Sequence, residues 1–487
     1  MPVSSRSENL YLAGRSVSRR EMLLRASGGF ATMALAALMA GCQRESPPAS
    51  QRAPAGRAMV RPRRPIRSVI FLYMEGGPSH IDTFDPKPRL AKEHGQLMKL
   101  ALPPLFSHRT VLQSPFKFAR YGESGAAVSE LFPHVAQHVD DLCIVRSMVS
   151  EHSEHTTANY FMNTGAAMRG RPSMGAWVDY GLGSSNSDLP GYMLLASNLQ
   201  PVGGRDFLGN GFLPARHQPT HLRPDEVPMA NLKPCEPLPE LQRSKLALVE
   251  QFNRAASEHY GGGDPWEAMV GSYELAYRMQ GVLPEIIQVH QESEATRKLY
   301  GIFEEPTHQF GVQCLWARRL VERGVRFVQL IPPDPAPGGG TFDRWDQHSD
   351  LVEGHRSNAL QVDRPIAGLL TDLRSRGLLD ETLIIWGGEF GRTPMCEVRP
   401  GRMVGRDHNP HGFTMWLAGG GVRGGMVFGE TDEYGYHAVA NPVTVHDLHA
   451  TVLHLLGIDH TQLTYHYGGR DYRLTDIFGR VVHEILA

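Results

Sequence analysis

Three short, mainly apolar runs mark the second half of the chain: Val325–Ile331, Leu383–Trp386 and Phe413–Leu417. Runs of this length suit strands buried on both faces of a parallel sheet. Ile66–Met74 and Leu142–Val145 read as further strands. Between them, apolar positions recur at helical spacing. Phe132–Val139 reads as helical, and Gly311–Arg323 predicts an amphipathic helix closed by Gly324. Leu351–Arg376 carries Ala359, Val362, Ile366, Leu369, Leu370 and Leu373 along one face and stops at Gly377. Pro365 either kinks this helix or opens a second one capped by Asp363. Leu238–His259, Trp266–Gln280 and Pro284–Tyr300 predict a helical layer, and Val445–Leu456 a last helix ending at Gly457. Strands alternating with helices predict an α/β fold: a doubly wound, mostly parallel sheet flanked by helices, with irregular and helical insertions over about 181–300. Within that span Gly181–Pro234, rich in Gly, Pro and Asn, reads as an irregular excursion able to cover the sheet edge.

The candidate chemistry sits where the apolar runs stop. In open α/β sheets, ligands bind outside the carboxyl ends of the strands. Asp346 and His348 follow the first run, Glu389 follows the second, and His408 and His411 lie on the approach to the third. Glu75, His80 and Asp82 follow Ile66–Met74 across Gly76-Gly77, a pair that permits a tight turn. Brought to one edge, these acids and imidazoles form an oxygen and nitrogen donor set that suits a divalent transition metal, zinc or manganese, more than calcium. Taken singly, each has a plainer explanation as a turn cap or a hydrogen-bonded loop residue. The stretch Glu151–Gly165 adds histidines and hydroxyls at a helix start, where Thr156 is a candidate nucleophile toward an anionic ester. Plain N-capping by Ser153 or Thr156 is the alternative.

Addressing and composition narrow the class. Ser18-Arg19-Arg20-Glu21-Met22-Leu23-Leu24 resembles a twin-arginine export signal, and Ala26–Ala40 is too short and weakly apolar for a spanning helix. Met39-Ala40-Gly41-Cys42 resembles a lipobox, so residues 1–42 are expected to be a signal peptide and Cys42 a lipid attachment point. An ordinary cleaved signal with an incidental Cys42 is the alternative. Residues 43–65 read as a Pro/Arg-rich tether and 66–487 as the α/β domain. The expected location is the periplasm or cell surface, with the membrane met only through that lipid. A formal charge of −2 gives no reason to expect nucleic acid as partner. Cys143, Cys235, Cys314 and Cys396 are scattered without a C-x-x-C pair; disulfides and buried thiols both remain open.

The motifs MEGGPSHIDTFDPKP, WDQH, GLLDETLIIWGGEFGRTP, GRDHNPHGFTMWLAGGG and VHDLHATVLHLLGIDH together resemble the secreted family known as domain of unknown function 1501, over Ile66 to Ala487. That family is grouped with the alkaline phosphatase and sulfatase superfamily. The resemblance implies an alkaline phosphatase-like α/β fold and a one- or two-metal site hydrolysing phosphate or sulfate esters. Glu75-Gly76 stands where the superfamily places an acidic ligand and Gly; Asp346 and His348 match its Asp…His pair at shorter spacing. Glu389-Phe390-Gly391 matches its Asp-His-Gly, with Phe390 in the place of a histidine ligand. His408 or His411 fits its late histidine, and Thr164-Gly165 points back to His155 or Thr156 as nucleophile position. The sulfatase cysteine/serine-x-Pro-x-Arg signature is absent. By this resemblance Asp346, His348 and His408 hold one metal, Glu75 and Glu389 hold a second or orient water, and Arg392 or Arg406 neutralises the ester oxygens of a small-molecule or polysaccharide substrate. A non-catalytic, surface-anchored binding protein with a degenerate metal site is the competing expectation.

Overall fold

A computed structural model of the protein describes residues 65–100, 109–197, 201–224, 227–230, 232, 236, 238–260, 264–334 and 344–487. The segments expected to be an export signal and a lipobox at Cys42, nearly all of the expected tether, and Cys235 lie outside the described residues. A nine-stranded sheet organises the rest. Its strands in chain order are β1 (Ser68–Tyr73), β2 (Leu142–Val149), β3 (Tyr192–Ala196), β4 (Thr220–Leu222), β5 (Phe327–Ile331), β6 (Thr382–Gly387), β7 (Phe413–Gly419), β8 (Met426–Phe428) and β9 (Val443–Thr444). Across the sheet the order is β8-β2-β7-β6-β1-β5-β3-β4, with β9 also paired to β2. β1 lies at the centre, parallel to β5 on one side and β6 on the other, with Val69 level with Phe327 and Leu383.

β7 departs from the expectation of a parallel strand. It runs antiparallel to both β6 and β2. The reason is local. After β6 the chain stays at the carboxyl edge, where Gly391–Arg392 pairs antiparallel with His408–Asn409, so the next strand starts from that edge and runs back. This reversal is what allows a residue before β7 to meet residues after β1, β5 and β6.

Alternate residues of the strands feed opposite faces, as the two-residue pleat requires. Ile70, Leu72, Val328, Leu330, Ile384 and Trp386 pack one face under two helices, Glu305–Glu322 and Leu351–Ser375. Val69, Phe71, Tyr73, Leu383, Ile385, Met415 and Leu417 pack the other under His155–Thr164, Met174–Leu182 and Val445–Leu455. In chain order the α-helices longer than six residues among the described residues are α1 (His155–Thr164), α2 (Met174–Leu182), α3 (Pro239–Tyr260), α4 (Asp264–Ile287), α5 (Glu305–Glu322), α6 (Leu351–Ser375) and α7 (Val445–Leu455). Each fully buried Leu, Ile or Phe in these layers contributes about 1.5–3 kcal/mol relative to exposure.

Several local expectations shift. Pro365 sits inside one continuous helix, α6. Asp363 is therefore no cap for a second helix; its carboxylate accepts from the backbone N–H of His134 (2.9 Å) and Val135 (2.8 Å) and caps the 3-10 turn there. Pro284 is likewise absorbed within α4. The excursion over 181–234 is not irregular throughout, because it supplies β3 and β4 to the sheet edge. Cys143, Cys314 and Cys396 are free thiols, and burial pushes the Cys143 thiol up to about 12. Among the described residues no helix is long and apolar enough to cross a membrane.

Candidate metal centre

Four side chains from two loops and one helix start converge at the carboxyl edge of β1, β5 and β6: His155, Asp346, His348 and His408. His155 opens α1, whose first turn is capped by the Glu154 carboxylate on the N–H groups of Thr156 (2.8 Å) and Thr157 (3.0 Å). Asp346 and His348 ride a tight turn beyond β5. That turn is pressed against Gly76, where φ is +107° and an added Cβ would lie 2.7 Å from the Trp345 nitrogen and 2.9 Å from that of Asp346. His408 is held by the two-residue ladder that sets it opposite Arg392.

The hydrogen-bond pattern fixes the tautomers. His155 Nδ1 lies 2.7 Å from the Glu389 carboxylate, His348 Nδ1 2.7 Å from Glu397, and His408 Nδ1 2.6 Å from the Ser153 carbonyl. Ionised carboxylates and a carbonyl can only accept, so each Nδ1 carries the ring proton. In the neutral rings all three Nε2 lone pairs then face inward. His348 Nε2 and His408 Nε2 are 2.9 Å apart, and they lie 3.2 and 3.1 Å from Asp346 Oδ1. His155 Nε2 lies 3.2 Å from Asp346 Oδ2 and is a buried nitrogen with no hydrogen-bond partner.

Lone pairs facing one another and a carboxylate repel unless a cation stands between them. The edge of a tetrahedron of nitrogen and oxygen ligands about zinc is roughly 3.4 Å, from bond lengths near 2.1 Å. The observed separations of 2.9–3.2 Å approach that value. An imidazole whose far nitrogen donates to a carboxylate or carbonyl is the usual setting of a metal-bound histidine. The residues present therefore fit a divalent transition metal. Without one, protons take the cation's part. Burial opposes charge on His155, but the Asp346 and Glu389 carboxylates win and push it up to about 9. Burial also opposes charge on Asp346, yet Arg392 and the three imidazoles hold its carboxyl far below the usual range.

The other residues singled out in the sequence fall around this centre. Glu389, fully buried, is brought in through His155; it also accepts from the Gly76 N–H at 2.9 and 3.2 Å. Glu75 is not in the ligand group. One of its oxygens pairs with Arg344, and the other accepts from the Val202 N–H at 2.8 Å. His411 is also apart, its ring against Tyr436 and His437. Arg392 is fully buried and donates to Asp346 Oδ1 at 2.6 Å, to Gly77 O at 3.0 Å, to Arg406 O at 3.2 Å and to Gly76 O. Arg406 grips Asp82 with two bonds of 2.7 and 3.1 Å. His80 bonds Gly435 O at 2.7 Å. Thr156 follows a ligand by one residue; its backbone N–H donates to the Glu154 carboxylate at 2.8 Å, and the hydroxyl that reaches that carboxylate, at 3.3 Å, is that of Thr157. Part of the excursion covers this corner: a Cβ at Gly203 would meet the Thr156 Cγ2 at 2.7 Å.

Sequence reasoning missed His155 as a ligand and Glu397 as the anchor of His348. His155 had a signal, as the first helical residue after a buried strand that ends at the same edge. Glu397 had none, since it reaches the site through a hairpin whose N–H and carbonyl groups pair with Gly405.

The family described as "Protein of unknown function (DUF1501)" matches residues 66–486. No curated protein matches. Solved structures that overlay the chain include the PsFucS1 sulfatase from Pseudoalteromonas sp., with 13% identity over 81% of this chain and 68% of that one and a TM-score of 0.35. The lipoteichoic acid synthase LtaP from Listeria monocytogenes overlays at 9% identity, 84% and 76% coverage and a TM-score of 0.33. A mutant of TAB5 alkaline phosphatase with Mg bound does so at 8% identity, 80% and 98% coverage and a TM-score of 0.34. Overlays this distant lend no weight to any particular chemistry.

Proposed function

This chain belongs to the DUF1501 family, whose function is unknown, and we propose that it is an exported, metal-dependent hydrolase of phosphate or sulfate esters. The observation that carries the reading is the set of three inward-facing Nε2 atoms around one carboxylate. His155, Asp346, His348 and His408 would hold a zinc or manganese ion, which supplies Lewis acidity toward an ester oxygen or a bound water. Glu389 and Glu397 keep the His155 and His348 rings turned inward. Arg392 acts through Asp346, since its guanidinium bonds that carboxylate and backbone carbonyls. The attacking group we assign is the Thr156 hydroxyl, one residue after His155 in the first turn of α1.

One observation favours a second reading, a surface-anchored protein that binds without turnover. Arg392 and Arg406, the cations that the sequence offers for ester oxygens, are fully buried and engaged by protein acceptors. Metal analysis of the purified chain, followed by a screen of the metal-loaded protein against aryl phosphates and aryl sulfates, separates the two. Turnover that is lost with Asp346→Ala supports the hydrolase. Bound metal without turnover of either ester class leaves the binding protein, and a folded, metal-free chain that refuses added zinc and manganese overturns both.

A further inference from the structure

The helical hairpin of α3 and α4 has a feature that the metal centre does not use. The end of α4 is buried beside α5, with Met279, Leu283 and Ile286 in the core. α3 is not, and it presents Leu238, Leu241, Leu248, Val249 and Phe252 to solvent at 55, 51, 50, 38 and 65% exposure. At about 100° per residue these positions fall within one stripe roughly 100° wide, the width that a helix ordinarily turns toward a core. Ala255, Ala256 and His259 continue the stripe to the end of α3. The five large side chains leave on the order of 500 Å² of apolar surface, at the upper end of what a monomer exposes in one patch.

Two further observations decide what covers it. Doubled across a two-fold axis, the patch and its polar rim reach the roughly 1,000 Å² that a specific interface needs. The charges along α3 do not oppose an antiparallel second copy. Its first half carries Glu240, Arg243 and Lys245, and its second half Glu250, Arg254 and Glu258. Lys245 pairs with Glu236, Arg243 with Glu240 and Arg254 with Glu250 inside each chain, so two antiparallel copies meet without like-charge repulsion. A helix that lies on a bilayer carries instead a polar face rich in Lys and Arg, which α3 lacks.

We propose that the solvent-facing stripe of α3 is the interface of a symmetric dimer, packed antiparallel on α3 of a second copy of this chain. With the axis between Leu248 and Val249, large residues meet small ones: Leu241 faces Ala255 and Ala256 of the second copy, and Leu238 faces its His259. Lys245, paired with Glu236 of its own chain, falls over Phe252 of the second copy, a cation–π arrangement. A C2 contact of this kind is isologous, so a single substitution acts twice.

Light scattering on the purified full chain in mild detergent tests this. The expected mass at about 20 μM is twice the chain mass of 54.0 kDa, and the double variant Leu248→Glu/Phe252→Glu is expected at the single-chain mass. The melting temperature at low protein concentration should match that of the parent, which shows that the variant folds. Leu248→Cys should form an intermolecular disulfide under mild oxidation, whereas Leu238→Cys, distant from the axis, should not. A parent chain that stays single at 100 μM overturns the proposal, as does a dimer untouched by the double variant. Co-sedimentation of a single-chain parent with phosphatidylglycerol vesicles, lost in the variant, would assign the stripe to a lipid surface instead.

Discussion

Replacing Glu389 by glutamine tests the arrangement of the metal centre at one oxygen. Glu389 is fully buried and takes the His155 Nδ1 proton at 2.7 Å and the Gly76 N–H at 2.9 Å. The amide is the same shape, so no cavity term enters, and its carbonyl can still accept both bonds. Only the charge is lost, and charge-assisted bonds are about twice as strong as neutral ones. A carboxylate behind a ligating histidine is worth 10- to 100-fold in metal affinity. An isostere that keeps the bond should sit at the lower end, about tenfold or 1.4 kcal/mol. Glu75→Gln is the paired control, because Glu75 joins Arg344 rather than an imidazole. It should lower stability by about 1–3 kcal/mol, since Arg344 keeps the Asp334 carboxylate at 2.8 Å, with metal affinity kept within about twofold. The assay is zinc competition against a chromophoric chelator, with thermal melts of each metal-free variant. An unchanged affinity in folded Glu389→Gln, or an equal loss in Glu75→Gln, would refute the assignment of Glu389 as the anchor of His155.

Three other outcomes follow from the packing. Gly76→Ala should destabilise by about 2–5 kcal/mol, from overpacking on the turn that bears Asp346 and from the left-handed φ, and weaken zinc binding in the same titration. Arg406→Met should cost about 3–5 kcal/mol in a denaturant melt by leaving Asp82 buried and unpaired; a loss under about 1 kcal/mol would contradict the geometry. Acid should weaken the fold through two imidazoles outside the ligand set, His355 and His449, which burial holds down to about 3 against an ordinary 6.5. Both stay neutral in the fold but take a proton in the unfolded chain below about 6.5, so stability is complete above that value and falls as pH drops toward 3. The loss between pH 7.5 and 5 is about 2 kcal/mol for each ring, and His449→Phe should flatten that part of the stability–pH curve by about that amount.

The sequence made visible the groups that leave a buried strand directly. Asp346, His348 and His408 were placed at one edge by apolar runs and the rule that ligands gather at strand ends, and the structure brings them together. What stayed hidden depends on partners remote in the chain. Arg392 and Arg406 look like free cations until Asp346 and Asp82 are seen to take them. Glu75 resembles a ligand until Arg344 is placed beside it. The run at Phe413 carries no mark of direction, because a strand buried on both faces has the same composition either way. Pro365 and Pro284 suggest helix ends, yet α6 and α4, both packed into the same core, run continuously across them.

The reversed strand leaves the segment between β6 and β7 with a particular freedom. It departs from and returns to the same rim of the sheet, held there by the short ladder of Gly391–Arg392 with His408–Asn409. The exposed tip of the hairpin beyond that ladder, residues 398–401, can lengthen, shorten or change composition without shifting the register of any strand beneath it, while Glu397 holds His348 and Val404 pairs with Ser349. Variation among relatives in what the site admits has an inexpensive place to accumulate there, while the imidazoles and Asp346 stay where they are.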